Sequence, residues 1–159
     1  MACRRILMLY PEFECNCSYC QKLCYTRVGW PTPEEGKALV EYFKSRGYPL
    51  KTIFRKFLVL DFYDFDEERV YVVAPRWTEC GEELFAPFFP LMTEGSCVFK
   101  EGERCVLHNL TYNRVPLKPL ECRVGGCRAG KLVARVHREI AQAWRKEQDF
   151  VENIIGEVG

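Results

Sequence analysis

The sequence predicts a small α+β domain, mainly helical with a few short strands, that is organised around a cysteine-ligated metal centre. Three observations lead to this prediction. Three segments repeat apolar residues at helical spacing, one segment is rich in β-branched and aromatic residues, and ten cysteines fall largely into two groups. The 159 residues contain no linker and no internal repeat, and they match the usual size of one domain, so we expect a single domain over residues 1–159.

The apolar run 4–10 predicts a strand or an ordered N-terminal arm, and the first helix follows at Thr32. The Thr32 hydroxyl can cap this helix, Pro33 suits its first position, and Glu35 completes a capping box three residues after Thr32. Gly47 is a typical helix end. The apolar face of this helix carries Leu39, Val40 and Phe43.

A second helix is predicted from Pro49 to about Leu58, because apolar residues recur there at i, i+3, i+4, i+7 and i+8. These residues are Leu50, Ile53, Phe54, Phe57 and Leu58. The acidic run from Asp61 to Glu68 resembles a turn or loop, and residues 69–74 are β-branched and aromatic enough for a strand.

The segment from Pro75 to Pro90 mixes aromatic residues with prolines and is expected to be irregular. A long helix from about Lys131 to Ile155 is predicted to close the chain. Its apolar stripe follows a four-residue step through Leu132, Val136, Ile140 and Trp144. We expect the three helices to pack together as a scaffold for the metal centre.

Composition excludes several classes of function. The net charge is +1 and no stretch forms a basic stripe, so nucleic acid is not expected as a partner. The apolar runs are too short for a membrane span, and the run from Ile6 to Tyr10 is too short for a signal peptide. A cytoplasmic location is therefore expected, where thiols stay reduced and clustered cysteines favour metal or redox chemistry over disulfides.

The cysteines form two groups with the spacing of metal half-sites. A Cys-x2-Cys pair can bind one ion from a single turn, and a third thiol four residues later lies one helical turn away. A glycine at position 102 predicts a hairpin within the second group, and Gly125 and Gly126 allow a close bend. The candidate metal ligands are Cys15, Cys17, Cys20, Cys24, Cys97, Cys105, Cys122 and Cys127. Cys3 and Cys80 stand apart and are expected to be small buried side chains.

The ordered motifs resemble a cysteine-cluster family of zinc- or iron-chelating domains, the CxxCxxCC or YkgJ-like family. The resemblance covers roughly residues 13–128 and rests on five segments taken in order. These are the cysteines Cys17, Cys20 and Cys24, then 32–35 (Thr-Pro-Glu-Glu), 96–99 (Ser-Cys-Val-Phe), 104–108 (Arg-Cys-Val-Leu-His) and 118–123 (Lys-Pro-Leu-Glu-Cys-Arg). The sequence departs from the family pattern in two places. Leu23 stands where the family has a cysteine, and Cys15 is an extra cysteine upstream. Residues 110–117 form an insertion relative to the family.

Several functions stay open at this point. The leading hypothesis is a protein that carries an iron–sulfur cluster, of the [4Fe–4S] type, and serves a protein partner as a redox or assembly accessory. Zinc is the alternative cofactor, in an interaction module without a redox role. A metal- or cluster-dependent enzyme that modifies protein or RNA is the third hypothesis. More than four thiolates exceed the need of one tetrahedral zinc ion, which favours the cluster.

Further expectations concern the neighbourhood of the metal. His108 and His137 are expected to serve packing or to lie at the core edge rather than to bind metal, and the acidic run lacks the spacing of a calcium loop. The metal is expected to tie residues 15–24 to residues 97–127. The aromatic loop of residues 76–91 should either shield the centre, with Trp77 and Phe88 buried, or offer a docking patch.

Overall fold

A long β-hairpin with helices packed against it forms the centre of the molecule. The computed structural model describes residues 28–85, 95–102, 104–124 and 132–159. The first helix, α1, spans Pro33–Ser45, and its capping box is the predicted one: Glu35 N–H donates to the Thr32 hydroxyl and the Glu35 carboxylate accepts from Thr32 N–H. Gly47 follows the helix with a φ of 93°, a conformation that glycine adopts without strain.

Helix α2 spans Leu50–Lys56 and is shorter than predicted, because Leu58 is the first residue of the next strand rather than the last residue of the helix. The buried guanidinium of Arg76 donates to the carbonyls of Phe54 and Leu58, and Arg76 N–H donates to the carbonyl of Phe57. These tertiary donors satisfy carbonyls at the helix end, so the chain can leave the helix directly into a strand.

Strand β1 (Leu58–Phe65) and strand β2 (Glu68–Pro75) form an antiparallel hairpin with Leu58 opposite Pro75. The strand predicted over residues 69–74 is confirmed. The loop predicted for the acidic run from Asp61 to Glu68 is wrong, since most of it belongs to β1 and only the turn lies between the strands.

The acidic residues of β1 fit into a strand because each has a partner from elsewhere. Asp61 is buried and accepts a hydrogen bond from the indole N–H of Trp30 at 3.1 Å. Asp64 is exposed and pairs with Arg69 across the hairpin at 2.7 Å. That guanidinium hydrogen-bonds the carboxylate and lowers the pKa of Asp64. Acidic residues are therefore compatible with a strand when other side chains bind their carboxylates, as Trp30 and Arg69 do here.

Two short hairpins lie between the long hairpin and the C-terminal helices. Strands β3 (Lys100–Glu101) and β4 (Arg104–Cys105) pair around Gly102, whose φ is 60°, so the hairpin predicted within the second cysteine group is confirmed. The predicted insertion 110–117 contains the second hairpin, β5 (Thr111–Tyr112) with β6 (Val115–Pro116). Its two turn residues both have positive φ, as in a type I′ turn.

A short helix, α3, spans Leu120–Val124. The single long helix predicted at the C-terminus is wrong, because the chain forms three elements there: helix α4 (Leu132–Trp144), a 3₁₀ turn (Arg145–Glu147) and helix α5 (Gln148–Val158). The Gln148 side chain explains the break. Its amide N–H donates to the Trp144 carbonyl and to the Tyr71 carbonyl, both at 2.9 Å, and its oxygen accepts from Tyr71 N–H at 3.0 Å. It therefore caps the end of α4 and pairs with the outer edge of β2.

The core lies where the helices cover the long hairpin. Helices α1, α4 and α5 contact β2, and α1 also contacts α2 and α4. The predicted packing of the helices against each other is therefore confirmed, and the long hairpin is part of the same core. The predicted stripe of α4 is buried at Val136, Ile140 and Trp144. None of the helices in the described ranges is long and apolar enough to cross a membrane.

Candidate metal centre

Three of the eight predicted ligands lie in the described part of the chain. Cys97 is buried and its backbone pairs with that of Trp77, Cys105 lies on β4 opposite Lys100, and Cys122 lies in α3. The other five lie outside the described residues, namely Cys15, Cys17, Cys20, Cys24 and Cys127.

The described residues do not complete a metal site by themselves. Among residues 28–85, 95–102, 104–124 and 132–159, no three His, Cys, Asp or Glu side chains lie close enough together to hold an ion. A thiolate centre therefore needs ligands from outside these ranges. The expected bridge between residues 15–24 and 97–127 stays a prediction.

Cys105, in strand β4 of the first short hairpin, is half-buried. Burial raises the pKa of its thiol, although the nearby Lys118 and Lys100 ammonium groups and two backbone N–H groups oppose the shift. Without a metal this thiol is therefore neutral near pH 7, and a metal cation is the kind of partner that deprotonates such a group outright. His108 is also half-buried, and its Nδ1 lies 3.4 Å from the Lys118 Nζ.

Cys122 packs directly against the backbone that leads out of the first cysteine group. A Cβ atom placed on Gly29 would lie 2.1 Å from the Cys122 Sγ and 3.0 Å from the Cys122 backbone nitrogen. Only glycine permits this approach, because a real Cβ never comes so close to another heavy atom. Gly29 follows Cys24 by five residues, so the second cysteine group meets the chain immediately after the first.

A buried ion pair fixes helix α3, and with it Cys122, to the start of α1. The Glu35 carboxylate pairs with the Arg123 guanidinium, and it also accepts from Leu120 N–H at 2.9 Å besides its capping bond to Thr32. Burial raises the pKa of Glu35, while Arg123 and the backbone N–H donors oppose that shift. The Arg123 guanidinium and the N–H groups of Leu120 and Thr32, from two distant segments, thus meet at one carboxylate.

Glu121, the residue before Cys122, carries a second buried carboxylate, and its pairing with a histidine was not predicted from the sequence. Glu121 is buried, and its Oε2 lies 2.6 Å from the Nδ1 of His137 on α4. The His137 ring stacks on Trp30 with 3.8 Å between ring centroids, and Trp30 bonds to Asp61. Since Glu121 and His137 belong to different helices, no spacing in the sequence signals the pair.

Within the aromatic loop of residues 76–91, the structure describes the part up to Phe85. Trp77 is 2% exposed, as the shielding hypothesis expects, whereas Phe85 is 43% exposed and Phe88 lies outside the described residues. Cys80 is half-buried rather than fully buried: its thiol donates to the Trp77 carbonyl at 3.0 Å. The choice between shielding and docking therefore stays open in this loop.

No family model matches this sequence, and no curated protein or solved structure matches it either. The resemblance to the zinc- or iron-chelating family therefore depends on the five motif segments alone. Two of those segments, 32–35 and 118–123, are in direct contact through the Glu35–Arg123 pair.

Proposed function

We propose that this protein binds a metal through thiolates of both cysteine groups, as an iron–sulfur cluster protein of the [4Fe–4S] type that acts as a redox or assembly accessory to a partner protein. The observation that supports it most is the contact between Gly29 and the Cys122 Sγ. It joins a cysteine of the second group to the backbone five residues beyond Cys24. A segment of five residues spans at most about 18 Å, which leaves a short path between the two groups.

The Glu35–Arg123 pair supports the same proposal through rigidity. Metal sites need their ligands held by hydrogen bonds outside the coordination shell, because a loosely held ligand lowers affinity. Here the residue after Cys122 is held by a buried carboxylate, and the Leu120 N–H is bound by the same group.

The number of candidate thiolates favours a cluster over a single zinc ion. Eight cysteines are available in the two groups, and one tetrahedral zinc ion takes four. Soft thiolate ligands suit both metals, so the ligand type alone does not decide. If the centre is zinc, its role is structural and the protein is an interaction module.

The test is metal and acid-labile sulfide analysis of anaerobically purified protein, together with its visible spectrum. We expect iron, sulfide and a broad absorption near 400 nm that fades on reduction. Stoichiometric zinc in colourless protein would replace the cluster by the zinc-stabilised module. Protein that binds neither metal would refute the proposal.

Two matched cysteine variants locate the centre. Cys122→Ser should lose most of the metal and become sensitive to proteolysis, because metal binding of this kind contributes roughly 10–16 kcal/mol to the folded state. Cys80→Ser should retain the metal, since that thiol bonds to the Trp77 carbonyl within its own loop. Equal metal loss in the two variants would show that the ligand assignment is wrong.

A further inference from the structure

The segment between Cys105 and helix α3 is cationic and partly apolar at its surface. Residues 104–118 contain two arginines and one lysine but no Asp or Glu. Four large apolar side chains are exposed in the described ranges, and two of them belong to this segment, Val106 at 42% and Leu110 at 39%. The exposed part of the segment is called the 106–118 surface below.

Two contacts join the loops that form the 106–118 surface. The Lys118 Nζ lies 3.4 Å from the His108 Nδ1, and Leu117 N–H donates to the Leu110 carbonyl at 3.0 Å. Leu107 and Leu117 are buried, so the core positions of this segment are already filled. The exposed apolar side chains therefore lie on an ordered surface, and a partner that binds there pays little for ordering it.

Arg114 occupies a turn position that favours glycine. It is the second residue of the turn between β5 and β6, where its φ is 66° and that of Asn113 is 49°. Type I′ turns prefer Asn-Gly, because a side chain such as that of arginine makes positive φ unfavourable. Arg114 is exposed and has no carboxylate at ion-pair distance in the described part of the chain. An arginine that supports neither the turn nor an ion pair indicates a role in recognition, where arginine is a frequent hot-spot residue.

We propose that the 106–118 surface is a docking site for a partner protein that presents acidic side chains around a small apolar spot. Arg114 and Lys118 supply the positive charge, and Val106 and Leu110 supply the apolar centre. This inference deepens the proposed function by naming the kind of partner, and it rests on that proposal only for what the partner gains from the metal. The surface begins one residue after Cys105 and ends four residues before Cys122, so a docked partner contacts the chain between two predicted ligands.

Nucleic acid fits the 106–118 surface less well than an acidic protein does. Binding to nucleic acid requires several cations that neutralise phosphates, and single strands also stack on aromatic side chains. The tyrosine of this surface, Tyr112, is half-buried and packs edge-on against Tyr42, with 6.4 Å between ring centroids. An apolar centre with a charged rim is instead the usual composition of a protein–protein interface.

NMR titration of the ¹⁵N-labelled full-length protein with a short peptide, in which two leucines are flanked by glutamates, tests the site. We expect shifts confined to the amides of residues 106–118, and binding that weakens as salt is raised, because exposed charges are screened. A peptide with lysines in place of the glutamates should cause no shift. Absence of shifts, shifts elsewhere, equal binding of the lysine peptide, or tighter binding of a uridine oligonucleotide at the same amides would overturn the proposal.

Arg114→Gly separates the side chain from the turn. Glycine adopts positive φ without strain, so this variant should keep or raise its Tm, while the Kd of the acidic peptide should rise about fivefold. Replacing Val106 and Leu110 together by Ser should also raise the Kd, with no change of charge. Lys146→Gln removes an exposed cation from the 3₁₀ turn and is the matched control, which should leave the Kd unchanged.

Metal content measured on the same samples separates this inference from the proposed function. Arg114→Gly should lose peptide binding and keep the metal content of the wild-type protein, because Arg114 is not a ligand. Protein without metal that still binds the acidic peptide at residues 106–118 would refute the proposed function and support the docking site. An unchanged Kd in Arg114→Gly, or an equal rise in Lys146→Gln, would overturn the docking site whatever the metal content.

Discussion

The Glu35–Arg123 pair allows a quantitative test of how α3 is held. Replacing Glu35 by Ala removes the carboxylate that pairs with the buried Arg123 guanidinium, and it removes the acceptor of the Thr32 and Leu120 N–H groups. Breaking a buried ion pair from one side costs about 3–5 kcal/mol. We therefore expect Glu35→Ala to lower the free energy of unfolding by about 4 kcal/mol, a large part of the 5–15 kcal/mol of a typical domain.

Urea unfolding followed by tryptophan fluorescence measures this loss. All three tryptophans are buried, so their emission reports on the whole core. In thermal unfolding the same loss should lower Tm by roughly 8–16 °C for a chain of this size. Glu34→Ala is the control, because Glu34 is exposed in the same helical turn and its interaction with the helix dipole is worth under about 1 kcal/mol.

A second pair of variants tests whether charge is the cause. Glu35→Gln keeps an oxygen for the two backbone N–H groups but removes the negative charge that faces Arg123. Arg123→Met should therefore destabilise the wild-type protein and stabilise the Glu35→Gln variant, because in the second case it removes a buried charge that no longer faces the Glu35 carboxylate. If Arg123→Met has the same sign in both backgrounds, or if Glu35→Ala costs no more than Glu34→Ala, the ion pair does not hold this region together.

Two further predictions concern the packing of the C-terminal helices. Gln148→Ala should lower the free energy of unfolding, measured in urea, by about 1–3 kcal/mol, because it removes the side chain that bonds to the Tyr71 backbone at the edge of β2. Hydrogen exchange of the Tyr71 amide should become faster, and an unchanged exchange rate would contradict the role assigned to Gln148. Gly36→Ala should cost about 1–3 kcal/mol, since its Cβ would lie 2.7 Å from the Trp144 ring. Gly156 lies in α5 with open space where a Cβ would be added, so Gly156→Ala should instead raise the free energy of unfolding by about 0.5–1 kcal/mol. Equal changes in the two glycine variants would contradict the packing of Gly36 against Trp144.

The start of α1 shows what local signals can predict. The Thr32–Glu35 capping box, the proline at the first turn and Gly47 after the helix act within a few residues of each other, so their roles are visible in the sequence. The strand over residues 69–74 and the hairpin around Gly102 were predictable for the same reason. The Glu35 carboxylate, however, also binds Arg123, 88 residues away, and no local pattern indicates that second role.

The prediction failed where a distant partner changed the meaning of a residue. Asp61 and Asp64 indicate a loop by their charge, yet they occupy a strand because Trp30 and Arg69 bind them. The helix predicted from Lys131 to Ile155 is interrupted because Gln148 bonds to both Trp144 and the edge of β2.

The sequence by itself determined an α+β fold, the capped first helix, the apolar stripe of the last helices and the two cysteine groups with their resemblance to a metal-binding family. Each of these is a property of spacing along the chain. Only the tertiary structure placed Cys122 against Gly29 and paired Glu121 with His137. Such contacts join segments that are far apart in the sequence, so they are decided by how the helices pack on the hairpin.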